Sequence, residues 1–278
     1  MKRSLTPRSL PCAILTFSAL GCVSAPGHHP LTMATMYAQS AEYAAASRSV
    51  YAAARVQLDD ALADPDWSAA LEQGVDFAGK PPAIVLDVDE TVLDNSPYEA
   101  RLIEDGASYP SGWDAWCNEG IADPVPGALA LTKYAAERGV TVFYLTNRKA
   151  HLEEGTYRNL VARGFPVDGG LDALLMADEQ PDWTSNKSSR RQHLSATHRI
   201  VMMFGDNLGD FVARDEARGT PAEREGVMAR HGEWWGTRWF MVPNAMYGYW
   251  DGAVLDYDYE RGEAELDRLR LNALEQKR

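Results

Sequence analysis

The sequence predicts a doubly wound α/β fold with a mainly parallel sheet, and three observations carry that expectation. Short apolar runs at 83–88, 140–145, 172–177, 199–204 and 239–242 read as strands. Their continuous apolar character, in place of an alternation, is that of strands covered on both faces. Segments of helical length and periodicity at 127–138, 149–163 and 186–198 separate them, giving successive βα units. The 278 residues, 45% of them apolar and 24% charged, suffice for one sizeable core with an accessory helical layer from the N- and C-terminal segments.

In chain order, Lys2, Arg3 and Arg8 form a basic start, and residues 12–21 are an apolar run too short to span a bilayer. Residues 1–21 therefore read as a secretory signal peptide, which places the protein outside the cytoplasm. Ala19-Leu20-Gly21 leads into Cys22 as in a bacterial lipobox, with Leu one place later than usual. Acylation of Cys22 would anchor the protein to a membrane, the outer membrane in this reading, facing periplasm or cell surface. Plain cleavage after Ala25 is the competing reading, and Pro26 just past that bond speaks against it. Residues 22–31 read as a lipidated tether, in which His28 and His29 are adjacent and not at metal-ligand spacing.

The accessory segment spans 32–80. Its first part, 32–63, is Ala-rich without Gly or Pro and predicts one long helix. The main domain runs over 81–278, and 258–277 predicts a closing amphipathic helix.

Charge and cysteine narrow the function. The net charge is −13, and loss of the three leader cations takes it to about −16, the wrong sign for binding a nucleic-acid polymer. A phosphate site in such a chain has to be local, made by a few cations, backbone N–H groups or a metal. With Cys12 in the leader and Cys22 acylated, Cys117 has no partner for a disulfide and reads as a small buried thiol.

In open α/β sheets ligands bind beyond the carboxyl ends of the strands, and three of those ends carry chemistry here. Asp87 and Asp89 close the first run, Thr146, Asn147 and Arg148 follow the second, and Asp206 and Asp210 follow 199–204. One Asp-x-Asp by itself is equally a turn. Two acidic pairs at two strand ends are a constellation, because residues i and i+2 of a strand point the same way and both carboxylates can face one phosphorus. A phosphate dianion is repelled by carboxylates unless a hard cation lies between, and Mg²⁺ takes oxygen ligands of this kind. Asp210 falls one helical turn beyond Asp206 and can face the same ion. By residue type and place alone, Lys187 is as readily a solvated basic helix start, in part with Arg190 and Arg191, as a phosphate ligand.

The stretches 87–98 (Asp87-Val88-Asp89-Glu90-Thr91-Val92-Leu93-Asp94-Asn95-Ser96-Pro97-Tyr98) and 201–211 (Val201-Met202-Met203-Phe204-Gly205-Asp206-Asn207-Leu208-Gly209-Asp210-Phe211) resemble the paired signatures of class C acid phosphatases. These are bacterial surface lipoproteins of the haloacid dehalogenase superfamily. Gln39-Ser40-Ala41-Glu42-Tyr43, Leu145-Thr146-Asn147-Arg148, residues 186–191 and residues 243–250 extend the likeness, with Val88 and Tyr249 as small departures. The resemblance implies a haloacid dehalogenase-like core, a Mg²⁺-dependent phosphomonoesterase and possible homodimers. It makes Asp87 the nucleophile and Asp89 the general acid and then base. Thr146 and Lys187 would hold phosphate oxygens, and Asp206 and Asp210 would support the metal together with Asp87 and Asp89. Expected substrates are nucleoside monophosphates and aromatic phosphates, gripped by Asn147 and by aromatic side chains, Tyr247 first and then Tyr98, Trp113 and Trp116. Against these stand a phosphotransferase or narrow sugar phosphatase of the same superfamily, and a non-enzymatic surface lipoprotein binding haem. Every expected catalytic position is filled, which speaks against the last.

Overall fold

The computed structural model describes residues 31–168 and 170–274. The expected signal peptide and all of the expected Cys22 tether except Leu31 lie outside these residues. A parallel sheet is built from β1 (Pro82–Leu86), β4 (Thr141–Lys149), β5 (Leu174–Ala177), β6 (Arg199–Gly205) and β7 (Trp239–Met241), in the order β5-β4-β1-β6-β7. The order turns back on itself between β1 and β6, the switch point at which such sheets open a crevice. Leu86 pairs with Tyr144 on one side and Phe204 on the other, so Asp87, Thr146 and Asp206 emerge at one level.

Between β1 and β4 the chain inserts a short ribbon, β2 (Leu93–Asp94) with β3 (Asp123–Pro124), and two helices, α3 (Ser96–Asp105) and α4 (Trp113–Glu119). α5 (Ala128–Ala136), α6 (Glu153–Arg163) and α7 (Ser188–Thr197) match the expected crossovers within a few residues, although Lys149 belongs to the strand. α8 (Arg214–Ala217), α9 (Pro221–Arg230) and α10 (Tyr249–Val254) complete the body.

The pleat sends alternate residues of β1 to opposite faces: Ile84 and Leu86 join one buried cluster with α5 and α6, Ala83 and Val85 another with α7 and α9. That topology leaves β6 and β7 uncovered on the first face. The N-terminal segment covers them, but not as the single helix 32–63 that its composition predicts. The chain forms α1 (Thr32–Ala38), breaks at Gln39 and Ser40, and restarts as α2 (Ala41–Ala63), with the Ser40 hydroxyl capping Tyr43 N at 3.1 Å. Tyr51 of α2 stacks on Phe204, centroids 5.8 Å apart, and its hydroxyl donates to the Thr91 carbonyl at 2.5 Å. Gly127 lets α2 come this close, since a Cβ there would lie 2.8 Å from the Tyr51 ring and its φ is +103°.

The closing helix is shorter than expected, α11 (Glu263–Ala273), and buries no residue. It leans on α10 through Arg270, bidentate to Asp251. No helix among the described residues is long and apolar enough to cross a membrane.

Candidate active site

Asp87, Asp206 and Asp210 come together at the β1–β6 switch point, each offering one carboxylate oxygen within 4.8 Å of the others. Asp87 leaves the end of β1, with its N–H still paired to Phe204 O at 3.0 Å. Asp206 follows β6, and a tight turn at Leu208–Asp210, capped by Asn207, swings Asp210 back beside it. The turn demands glycine at 205, where a Cβ would run into the Asp210 carboxylate.

Lys187 at the start of α7 lies among them, its Nζ donating to Asp87 and, at 2.6 Å, to Asp210. It is buried, so the solvated reading does not hold. Arg190 and Arg191 are likewise 0% exposed. Arg190 ties Thr146 O, Leu175 O and Thr184 O to the Asn147 amide, and Arg191 pairs with Glu72 while donating to Asp210 O at 3.0 Å. The guanidinium forks stitch carbonyls of the strand ends together, which a solvated helix start would not do.

Burial pushes the Asp87 carboxyl up to about 7; Lys187 opposes this, and Asp210 and Asp89 add to it. Desolvation and neighbouring carboxylates thus lift Asp87 above the ordinary aspartate range. Burial, with Asp210 and Asp87, also holds Asp206 well above the usual carboxylate range. Three carboxylates, Asp87 buried and Asp206 and Asp210 partly so, share one amine, the Asn207 N–H, which donates to Asp210 at 2.9 Å, and the Asn244 amide, which donates to Asp206 at 2.7 Å. A set of hard oxygen donors with excess negative charge fits a divalent cation such as Mg²⁺.

Asp89 stands apart from this trio. Its Oδ1 accepts from Arg148 Nε at 2.9 Å, Arg148 Nη2 at 2.8 Å and Asn95 Nδ2 at 2.8 Å, while Thr146 Oγ1 lies 3.5 Å from Oδ2. Its Oδ1 is taken by Arg148 and Asn95, and its carboxylate is not among the three that converge. Glu90, buried and with φ +57°, accepts from Asn95 N at 2.8 Å and fixes the loop after β1.

The aromatic candidates divide. Tyr98 is 2% exposed, wedged against Trp113 and Trp116, with its hydroxyl donating to Ser111 O at 3.0 Å. A buried ring presents no face, so Tyr98 and the buried Trp116 support the wall instead of forming it. Trp113 is half-buried over the Arg148 guanidinium, 5.3 Å from its ring centre. Tyr247, 38% exposed, sits three residues after Asn244 in the loop that reaches Asp206. Asn147 is exposed, its carbonyl taken by Arg190. Cys117 is buried, and burial pushes its thiol up to about 12, as the inert reading requires.

Arg148, Asn95, Asn244 and Glu90 received no role from sequence. Arg148 was within reach, since it stands two residues after Thr146 on the same strand and points to the same side.

The chain matches the family described as HAD superfamily, subfamily IIIB (acid phosphatase), over residues 26–250. The class C acid phosphatase of Bacillus anthracis, solved with tungstate bound, superposes with a TM-score of 0.78 at 35% identity, covering 89% of this chain and 98% of that one. The class B acid phosphatase of Proteus mirabilis is 27% identical over 161 residues, 54% of this chain and 65% of that protein. Acid phosphatase 1 of Solanum lycopersicum is 30% identical over 134 residues, spanning 46% and 51%. The chain therefore covers just under two thirds of the first curated relative and about half of the second. With a family match across most of its length and a site assembled from the signature residues of that family, the chain belongs to the subfamily IIIB acid phosphatases of the HAD superfamily.

Proposed function

We propose that the protein is a magnesium-dependent acid phosphatase that hydrolyses phosphomonoesters, with nucleoside 5′-monophosphates and aromatic phosphates preferred, through an aspartyl-phosphate on Asp87. The convergence of Asp87, Asp206 and Asp210 around Lys187 at two adjacent strand ends carries this reading. A phosphate dianion would meet strong repulsion there, and bound Mg²⁺ would supply the charge that lets it approach. The tungstate of the Bacillus anthracis relative, an oxyanion of phosphate shape, supports an oxyanion pocket in this fold.

An Asp87 oxygen bonds to phosphorus as the ester P–O bond breaks, and the departing alkoxide takes a proton from Asp89. Water then attacks the same phosphorus, its proton passes to Asp89, and Asp87 is freed as inorganic phosphate leaves. Lys187 and Thr146 hold the non-bridging oxygens, where charge accumulates. Release of inorganic phosphate from para-nitrophenyl phosphate, lost in EDTA and restored by MgCl₂, tests the reading, and metal-independent or absent turnover would end it. Added nucleoside acceptors would reveal a phosphotransferase by the transferred product.

The basic start, the apolar run and Cys22 support export and lipid anchoring. Fatty-acid labelling that persists in Cys22→Ser would remove that part of the proposal.

A further inference from the structure

We infer that Arg148 is a positioning residue that holds Asp89 so that one oxygen alone, Oδ2, faces the phosphate. This rests on the proton-transfer role proposed for Asp89.

The three donors on Oδ1 leave it no free direction, two from Arg148 and one from Asn95, all within 2.9 Å. Oδ2 lies beside Thr146, the residue proposed to hold a phosphate oxygen. Arg148 and Thr146 are neighbours on one side of β4, so the element that presents the phosphate-holding hydroxyl also aims the proton carrier.

The guanidinium is itself fixed. It is 2% exposed, donates from Nη1 to Thr156 Oγ1 of α6 at 3.1 Å and from Nη2 to Asn95 Oδ1 at 3.3 Å, and lies under Trp113. Asn95 has every valence engaged: its amide donates to Asp89 and to Glu90 Oε2, and its carbonyl accepts from Arg148 and, at 2.7 Å, from Trp116 Nε1. A hydrogen-bond network with all members satisfied is rigid, and a proton donor must sit within hydrogen-bond reach of the leaving oxygen. Lysine keeps the charge but cannot place two parallel N–H groups on one oxygen, so geometry and charge are separable here.

The test is kcat/KM of the full chain with MgCl₂ on para-nitrophenyl phosphate, whose leaving group needs little protonation, and on glycerol phosphate, whose leaving group needs it. Asp89→Asn sets the scale. Arg148→Lys and Arg148→Gln should each lose roughly tenfold more on glycerol phosphate than on para-nitrophenyl phosphate, the same direction as Asp89→Asn. Asn95→Ser, which removes the third donor to Oδ1 but leaves both Arg148 donors on it, should show the same split to a lesser degree, and it decides the matter should the Arg148 variants fail a circular-dichroism check. Equal losses on both substrates in these variants, beside a clear split in Asp89→Asn, would reduce Arg148 to a packing role. No split in Asp89→Asn itself would instead overturn the proton-transfer reading and this inference with it.

Discussion

Two groups of carboxylates meet at the end of β1, and the protein treats them in opposite ways. Asp89 and Glu90 are held by protein atoms: a guanidinium and an asparagine amide fill Asp89 Oδ1, and the Asn95 N–H and amide bind Glu90, which burial still holds well above the usual carboxylate range. Asp87, Asp206 and Asp210 share one ammonium, the Asn244 amide and the Asn207 N–H, and burial raises the first to about 7 and the second well above its ordinary range. The first group has its donors in place as folded, with Asp89 Oδ2 left open, whereas the second carries more negative charge than its one ammonium balances. In the proposed mechanism the charge imbalance lies where the phosphate goes, while the proton carrier is held through one oxygen by donors already in place.

The harshest way to break the comparison is Asp87→Asn. It removes the attacking anion at nearly constant volume, so turnover of para-nitrophenyl phosphate should fall by on the order of 10³-fold or more while the fold survives. Relief of repulsion should also hold or raise the melting temperature in EDTA, and near-normal turnover would remove the mechanism.

Metal is the next lever, and its pH dependence has a definite sign. Asp87 and Asp206 have folded values raised above their unfolded ones, so the stability tied to their protonated forms is present at low pH and lost as pH rises through about 7 for Asp87. Protons and Mg²⁺ compete for these oxygens. The melting-temperature gain from MgCl₂ over EDTA should therefore grow between about pH 5 and pH 7.5, and should vanish in Asp206→Asn. A gain that shrinks with pH would contradict the metal assignment.

Tyr247→Ala probes the ligand side of the open group. An aromatic face stacked on a nucleobase is worth roughly 1–3 kcal/mol, about five- to a hundredfold. kcat/KM should drop by that factor for nucleoside monophosphates and para-nitrophenyl phosphate and stay level for glycerol phosphate. A uniform drop would make Tyr247 a packing residue.

Glu99 sharpens the contrast most gently, as a buried carboxyl of α3 that desolvation raises to about 7. Because its folded value is raised, the stability it lends is present below pH 4.5 and lost as pH rises through 7. Glu99→Gln should then raise the melting temperature by a few degrees at pH 8 and change it little at pH 5. Equal shifts at both pH values would show that charge is not the cause.

What the sequence made legible follows range. The strands and their ends came through because continuous apolar runs are local, and acidic residues at their carboxyl ends are informative wherever the sheet lies. The burial of Arg190 and Arg191 was hidden, since the carbonyls and the Glu72 carboxylate that accept from them come from β4, β5 and a segment 119 residues earlier. The same distance concealed the Asp89–Arg148 pair, 59 residues apart, and with it the reason Asp89 stands outside the carboxylate trio. Ser40 escaped notice because a capping serine inside an Ala-rich stretch leaves the composition helical. Whether Tyr98 presents or buries its ring was not legible, because an insertion helix can do either, and here it is 2% exposed.

The docking of α2 has a consequence for how the chain comes into being. Its hydroxyl partner, Thr91, is 40 residues away, yet the strand carrying its stacking partner Phe204 is made some 150 residues later, and Phe240 packs in the same cluster after that. During synthesis α2 waits with Tyr51 and Leu58 unsheltered until most of the chain has followed. Contacts so distant in sequence slow folding. The completed core is then an event of the last segment, when β7 closes the sheet edge beneath a helix that was ready from the start.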